Sequence, residues 1–186
     1  MGDQNQITYL QKFLPKIPMK TVLEVGSRGE SNAIGYRKYF PDSEYVGSDL
    51  QPGENVDIVQ DLTLGTGDIP IDYFDLIICC SVFEHVSRPW LAAENLAKLS
   101  KTGGILYFSV PWIWRYHAYP NDYFRYSPSS FPILFPDYTW EKFHISTRKP
   151  NEIIEINPHK LMGFDTKLSK DGWLPYMMVN SLGTKI

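Results

Sequence analysis

The chain has 186 residues, 43% apolar and 21% charged, with a formal net charge of −3; this fits one domain with a sizeable core and no global basic field drawing it to nucleic acid or an anionic membrane. Its two cysteines, Cys79 and Cys80, are adjacent and do not close an ordinary disulfide, so a reducing, cytoplasmic setting is expected. The opening MGDQNQITYLQKF lacks a basic region followed by an apolar run, Gln6 breaks the N-acylation pattern, and no apolar run reaches the roughly 20 residues of a membrane helix.

The first apolar run, TVLEV at 21–25, reads as a buried strand carrying Glu24 towards its carboxyl end. It leads into Gly26-Ser27-Arg28-Gly29, where little side chain lets the backbone turn tightly and approach a ligand. Arg28 stands where the dinucleotide fingerprint needs its middle glycine, so a pyrophosphate cradle is incomplete; a plain strand-to-helix turn is the alternative. EYVGS at 44–48 is the second strand. It ends on Asp49 and Leu50, 23 residues after Gly26, where an acid can accept hydrogen bonds from both ribose hydroxyls, or simply open the turn at Pro52-Gly53. VDIV at 56–59 follows. Asp61 after it suits an adenine amine, with Leu62 on the ring, or a cap.

FDLIICC at 74–80 and GILYFSV at 104–110 are near-continuous runs, as strands buried on both faces are. Between them Trp90, Leu91, Leu96 and Leu99 form a helical stripe, with Pro89 in the first turn and Gly103-Gly104 as its stop. Ser81 to His85 leave the fourth strand and face the cleft at the strands' carboxyl ends. Glu84 and His85 are neighbours without spaced His, Cys or Asp partners, so no metal site is expected and a helix cap is the sober alternative. The segment 111–136 is aromatic and Pro-rich. Trp112, Trp114, Tyr116, Tyr119, Tyr123, Phe124 and Tyr126 alternate with Arg115, His117, Asp122 and Arg125. Such a mixture suits a concave site for a sugar, a nucleoside or another polar ring, or else plugs a sheet edge or oligomer face. EKFHIST at 141–147 and WLPYMMVNSL at 173–182 read as the last strands, while 148–172 stays unassigned.

Alternating strands and helices predict a doubly wound α/β fold with its ligand at the strands' carboxyl ends. The succession LEVGSRG, YVGSDLQPG, VDIVQDLT, FDLIICCSVFEHVSRPW and GGILYFSVPW resembles the class I S-adenosylmethionine-dependent methyltransferases, over roughly residues 18–126. It looks most like the small-molecule branch, of the methyltransferase domain 11 kind. The resemblance implies one Rossmann-like domain over 1–186: a seven-stranded, mostly parallel sheet with an antiparallel last strand and helices on both faces. It implies S-adenosylmethionine as cofactor. Glu24, Gly26, Ser27, Arg28 and Gly29 would lie about its methionine part, Asp49 and Leu50 at the ribose, Asp61 and Leu62 at the adenine, and Ser81 in the same cleft. Arg28 and Glu30 depart from the usual glycines, although Arg28 itself attracts a carboxylate.

The implied reaction is methyl transfer to a small-molecule or glycan-type acceptor, at oxygen. Trp112, Trp114, Tyr116, Tyr119, Tyr123 and Arg125 would form the acceptor side. A hydroxyl acceptor must lose its proton, and His117 is the first candidate base, His85 the second, with Asp122 as orienting partner. Two other readings stand beside this one: a non-catalytic nucleotide- or partner-binding module, and a nicotinamide-dependent oxidoreductase. The broken glycine fingerprint and the absence of a Tyr-x-x-x-Lys site disfavour the oxidoreductase. No nucleic-acid or membrane partner is expected, and the oligomeric state is not legible.

Overall fold

A computed structural model describes residues 4–29, 35–118, 120–158 and 176–186. The elements are helix α1 (Gln4–Phe13), strands β1 (Thr21–Val25), β2 (Glu44–Asp49), β3 (Ile58–Val59) and β4 (Phe74–Cys80), helix α2 (Pro89–Leu99), strand β5 (Ser100–Ile113), a short helix α3 (Phe131–Leu134), and strands β6 (Tyr138–Ser146), β7 (Ile153–Ile156) and β8 (Met177–Lys185). They form one eight-stranded sheet in the order β3-β2-β1-β4-β5-β8-β6-β7. β1 to β5 are parallel, β8 runs antiparallel between β5 and β6, and β6 and β7 form an antiparallel pair.

Alternation along the central strands builds two cores, one on each face. Leu23, Val25, Ile77, Cys79, Leu106, Phe108 and Val110 pack with α2 and α3. Val22, Leu76, Ile78, Cys80, Ile105 and Tyr107 pack with Ile7, Tyr9 and Leu10 of α1. Phe74 breaks the alternation and joins the first core; the register of β4 on β5 shifts between Phe74 and Leu76. The first turn of α1 also buries polar side chains. Asn5 donates to the carbonyls of Thr147 (2.7 Å) and Lys149 (2.9 Å) and accepts from the Asn151 amide (2.8 Å). Gln6 donates to the hydroxyls of Ser109 (2.8 Å) and Ser81 (3.1 Å). This helix therefore holds the ends of β4, β5 and the β6–β7 turn together.

Several expectations are corrected. The sheet has eight strands rather than seven, because part of the unassigned 148–172 segment returns as β7. Its half-buried Ile153 and Ile156 flank the exposed Ile154 and Glu155, so this four-residue strand shows no period of two. The helix after β4 stops at Leu99, not at the glycine pair: Ser100 is already extended and Gly103 lies inside β5. β6 begins at Tyr138 and the third strand keeps only Ile58 and Val59. The expected start of the last strand, residues 173–175, lies outside the described residues, as do 159–172. Between β1 and β2 the described residues carry only a single 3-10 turn, Arg37–Tyr39. No helix among the described residues is long and apolar enough to cross a membrane.

Candidate functional site

Three loops leave the carboxyl ends of β1, β2 and β4 side by side. Gly26 takes φ +79°, and a Cβ there would sit 2.4 Å from Val82 Cγ2, so the loops after β1 and β4 touch only because this residue has no side chain. The amides of Gly26 and Ser27 donate to the Ser48 carbonyl at 2.8 and 3.1 Å, pinning the first loop to β2. Asp49 ends β2 with Oδ2 accepting the Arg28 amide (3.2 Å) and Oδ1 the Gln51 amide (3.2 Å). Arg28 extends its guanidinium to Gln51 Oε1 at 2.7 Å, and Gly29 turns at φ +58°. The Ser27 hydroxyl is buried and has no hydrogen-bond partner among the described residues.

Glu24 sits differently from these loop residues. It is buried, and its carboxylate accepts a 2.5 Å hydrogen bond from Tyr45 Oη. Burial pushes its pKa up, against the pull of Tyr45. A raised carboxyl pKa in the fold means that the folded chain binds more protons than the unfolded one, so this group's contribution falls as pH rises from the ordinary carboxyl range through the folded pKa. Glu24→Gln, which keeps an acceptor for Tyr45, is therefore expected to be at least as stable as the parent at pH 8, with the gain shrinking to nothing near pH 4. Thermal melts across that range check it; a loss of stability that grows with pH would contradict it.

Beyond β2, Leu50 is 56% exposed. Asp61 Oδ1 accepts the Thr63 amide at 2.8 Å, an Asx turn. The Leu62 side chain belongs to the core, and its carbonyl accepts from Asn95 of α2 at 2.8 Å. Ser81 leaves β4 with φ +54°, its hydroxyl accepting from Gln6.

The turn Phe83–His85 and residues 111–118 and 120–126 form the opposite wall. The amides of Tyr123 and Phe124 both donate to the Glu84 carbonyl, at 2.7 and 3.3 Å, and Tyr126 Oη donates to the Phe83 carbonyl at 2.9 Å. At the centre is Asp122, whose side chain is 1% exposed. Arg125 grips it through two bonds of 2.5 and 2.8 Å, and also donates to the carbonyls of Trp114 (3.1 Å), Arg115 (2.8 Å) and Phe124 (2.8 Å). Those bonds hold the Asp122 pKa down at about 2. Arg125, expected on the acceptor side, is instead the staple of the loop. Asp122 also accepts the His117 amide (2.7 Å) and lies 3.3 Å from His117 Nδ1, which is 3.2 Å from the Arg115 carbonyl as well.

His85 faces His117 across 5.0 Å, the rings nearly perpendicular. Its Nδ1 is 2.6 Å from the Asn121 carbonyl, and burial lowers its pKa. Glu84 is 1% exposed, Oε1 is 3.8 Å from His85 Nε2, and burial pushes its carboxyl up to about 7. Glu84, His85 and His117 thus present three donor atoms within 4.8 Å of one another. Sequence reasoning gave Glu84-His85 no spaced partner; the fold supplies His117, 32 positions away.

Of the expected aromatic wall, Trp112 packs against the core and Tyr116 (73% exposed) and Tyr123 lie open. Tyr119 lies outside the described residues. Trp114 has the Arg148 guanidinium 4.2 Å over its ring and Tyr176 edge-on at 4.8 Å. Arg148 was not anticipated, nor were Gln6 and Gly47. Arg148 sits in the unassigned segment, and Gly47 looked like an ordinary strand residue, though a Cβ there would lie 2.0 Å from the Asn55 carbonyl oxygen.

A sequence profile described as a methyltransferase domain matches residues 5–146. A 61-residue stretch is 35% identical to the ubiquinone biosynthesis O-methyltransferase of Pectobacterium atrosepticum, which is 33% of this chain but only 25% of that protein. The YcgJ protein of Bacillus subtilis superposes with a TM-score of 0.65 at 14% identity, covering 98% of this chain and 99% of that one. The N-methyltransferase NodS of Bradyrhizobium japonicum, solved with S-adenosyl-L-homocysteine, gives 0.61 at 14% identity, over 97% and 85%.

Proposed function

The chain belongs to the class I S-adenosylmethionine-dependent methyltransferases, and from that premise we propose that it methylates a hydroxyl of a small-molecule or glycan-type acceptor presented at the His117 wall. The loops after β1, β2 and β3 fit the cofactor. Asp49 offers a carboxylate fixed by two amides, Leu50 and Val59 expose apolar surface beside it, and the orphaned Ser27 hydroxyl lies in the glycine loop. On this reading Gly26 to Gly29 hold the amino-acid part, Asp49 the ribose, and Asp61 with the Leu62 backbone the adenine. Glu24, bonded by Tyr45 near the end of β1, lies on this reading against the methionine part as well.

When bound, the cofactor supplies a methyl group already activated on a sulfonium. The protein's own task is then placement and the handling of one proton. The observation that carries the hydroxyl reading is the anchoring of His117. A carbonyl and a carboxylate both face its Nδ1, so that atom bears the hydrogen and Nε2 keeps the lone pair, on a ring 30% exposed. Asp122, oriented by Arg125, fixes that tautomer. The partial likeness to an O-methyltransferase supports oxygen as the atom methylated.

His117→Ala is expected to keep S-adenosylhomocysteine affinity within a factor of about three while turnover on hydroxylated acceptors falls by about 100-fold. Full turnover in that variant would remove His117 from the reaction.

A further inference from the structure

We propose that Glu84, His85 and His117 together bind one divalent transition-metal ion of the zinc class at the acceptor wall. Two imidazoles and one carboxylate within 4.8 Å are the donor set of a three-ligand site with coordination positions to spare. Two nitrogen donors disfavour calcium and magnesium, which take oxygen.

Donor proximity alone would be weak, but two further observations agree with it. The first is the orientation of the rings. A carbonyl can only accept, so the 2.6 Å approach of the Asn121 carbonyl to His85 Nδ1 puts the hydrogen on that atom and the lone pair on Nε2. The Arg115 carbonyl and the Asp122 carboxylate do the same at His117. Carbonyl and carboxylate partners on the far nitrogen are what fix and strengthen imidazoles that bind metals. The second is Glu84 Oε2, which is buried and has no hydrogen-bond partner among the described residues. A buried carboxyl oxygen left unsatisfied is costly, and a cation held by the Glu84 carboxyl and the two rings offsets that cost.

The Glu84 side is closed while the His85 and His117 side chains are 15% and 30% exposed. The open positions of the ion therefore point to the cleft. The consequence for catalysis rests on the hydroxyl reading above. An acceptor oxygen that reaches an open position loses its proton to solvent more readily, and its lone pair then forms the new O–C bond as the sulfonium carbon–sulfur bond breaks to leave a thioether. In the ion-bound protein the His117 lone pair is a ligand; without the ion it is free to take the proton itself.

The test is a Co²⁺ titration of the untagged, chelator-stripped full chain, read by visible d–d absorption, with Zn²⁺ competition and S-adenosylhomocysteine calorimetry on the same samples. The expected result is one Co²⁺ per chain, displaced by Zn²⁺. His85→Ala and His117→Ala are each expected to weaken binding by about 100-fold. Both residues are partly exposed, so these variants carry the test even if Glu84→Gln does not fold. No cobalt band, or a band that survives the double His85→Ala/His117→Ala variant, overturns the site. S-adenosylhomocysteine binding without cobalt binding fails the metal inference alone; cobalt binding without S-adenosylhomocysteine binding fails the cofactor assignment alone.

Discussion

Gly47→Ala is expected to cost about 3 kcal/mol and to weaken S-adenosylhomocysteine binding by at least about 10-fold, although the residue is interior to β2 and has ordinary backbone angles. The cause is space. The added methyl would meet the Asn55 carbonyl oxygen at 2.0 Å, Ser27 Oγ at 2.7 Å and Ser27 Cβ at 3.1 Å. None of these is the loose end of a long side chain. Asn55 is held by the Asp57 amide bonding to the Gly47 carbonyl (2.8 Å), and Asp57 in turn accepts the Gly47 amide (2.7 Å). The clash must therefore push apart the glycine loop and the segment before β3, between which Asp49 stands. A melting-temperature drop of roughly 6–12 °C is expected for a chain of this size. Gly35→Ala is the control, since among the described residues no atom beyond its chain neighbours lies within 4 Å of its Cβ and its φ is not positive. Equal melting temperatures for the two variants would mean that β2 and its neighbours yield without cost.

Gly47 also shows where the sequence was legible and where it was not. β1, β4 and β5 announce themselves because they lie in the middle of the sheet, buried on both faces, and so read as near-continuous apolar runs. The glycine loop and Asp49 are legible because their spacing along the chain is set by one strand–loop–strand unit. What escaped is set by tertiary approach. Gly47 is needed only because Asn55 folds back against it. Gln6, in a helix that gave no motif, reaches Ser109 more than a hundred positions away. Arg125 was expected on the acceptor side, and three carbonyls and a carboxylate converge on it. His117 and His85 come together because the amides of Tyr123 and Phe124 fasten the aromatic segment to the Glu84 carbonyl, a backbone event with no side-chain signature.

That fastening makes Arg125→Met the most damaging change expected at the acceptor wall. The methionine keeps much of the volume but none of the five donors. It leaves the Asp122 carboxylate, 1% exposed, without its counter-ion, and strands the carbonyls of Trp114, Arg115 and Phe124. Breaking a buried pair from one side costs about 3–5 kcal/mol. Among the described residues of the loop only Phe124 packs against a core, so the strain is relieved by opening the loop rather than by unfolding the sheet. Turnover is expected to fall by about 10³-fold, because His117 loses the anchor of Nδ1 and the wall around both histidines loosens. S-adenosylhomocysteine affinity should stay within about threefold, since Gly26, Ser27 and Asp49 stand on the other loops, and proteolysis near Tyr116 and Tyr123 should quicken. Adding Asp122→Leu separates the two effects. The double variant no longer buries a bare charge and recovers much of the lost stability, but it has no carboxylate for His117 and stays slow. If the double variant regained turnover, Asp122 and Arg125 would be holding the loop closed and nothing more.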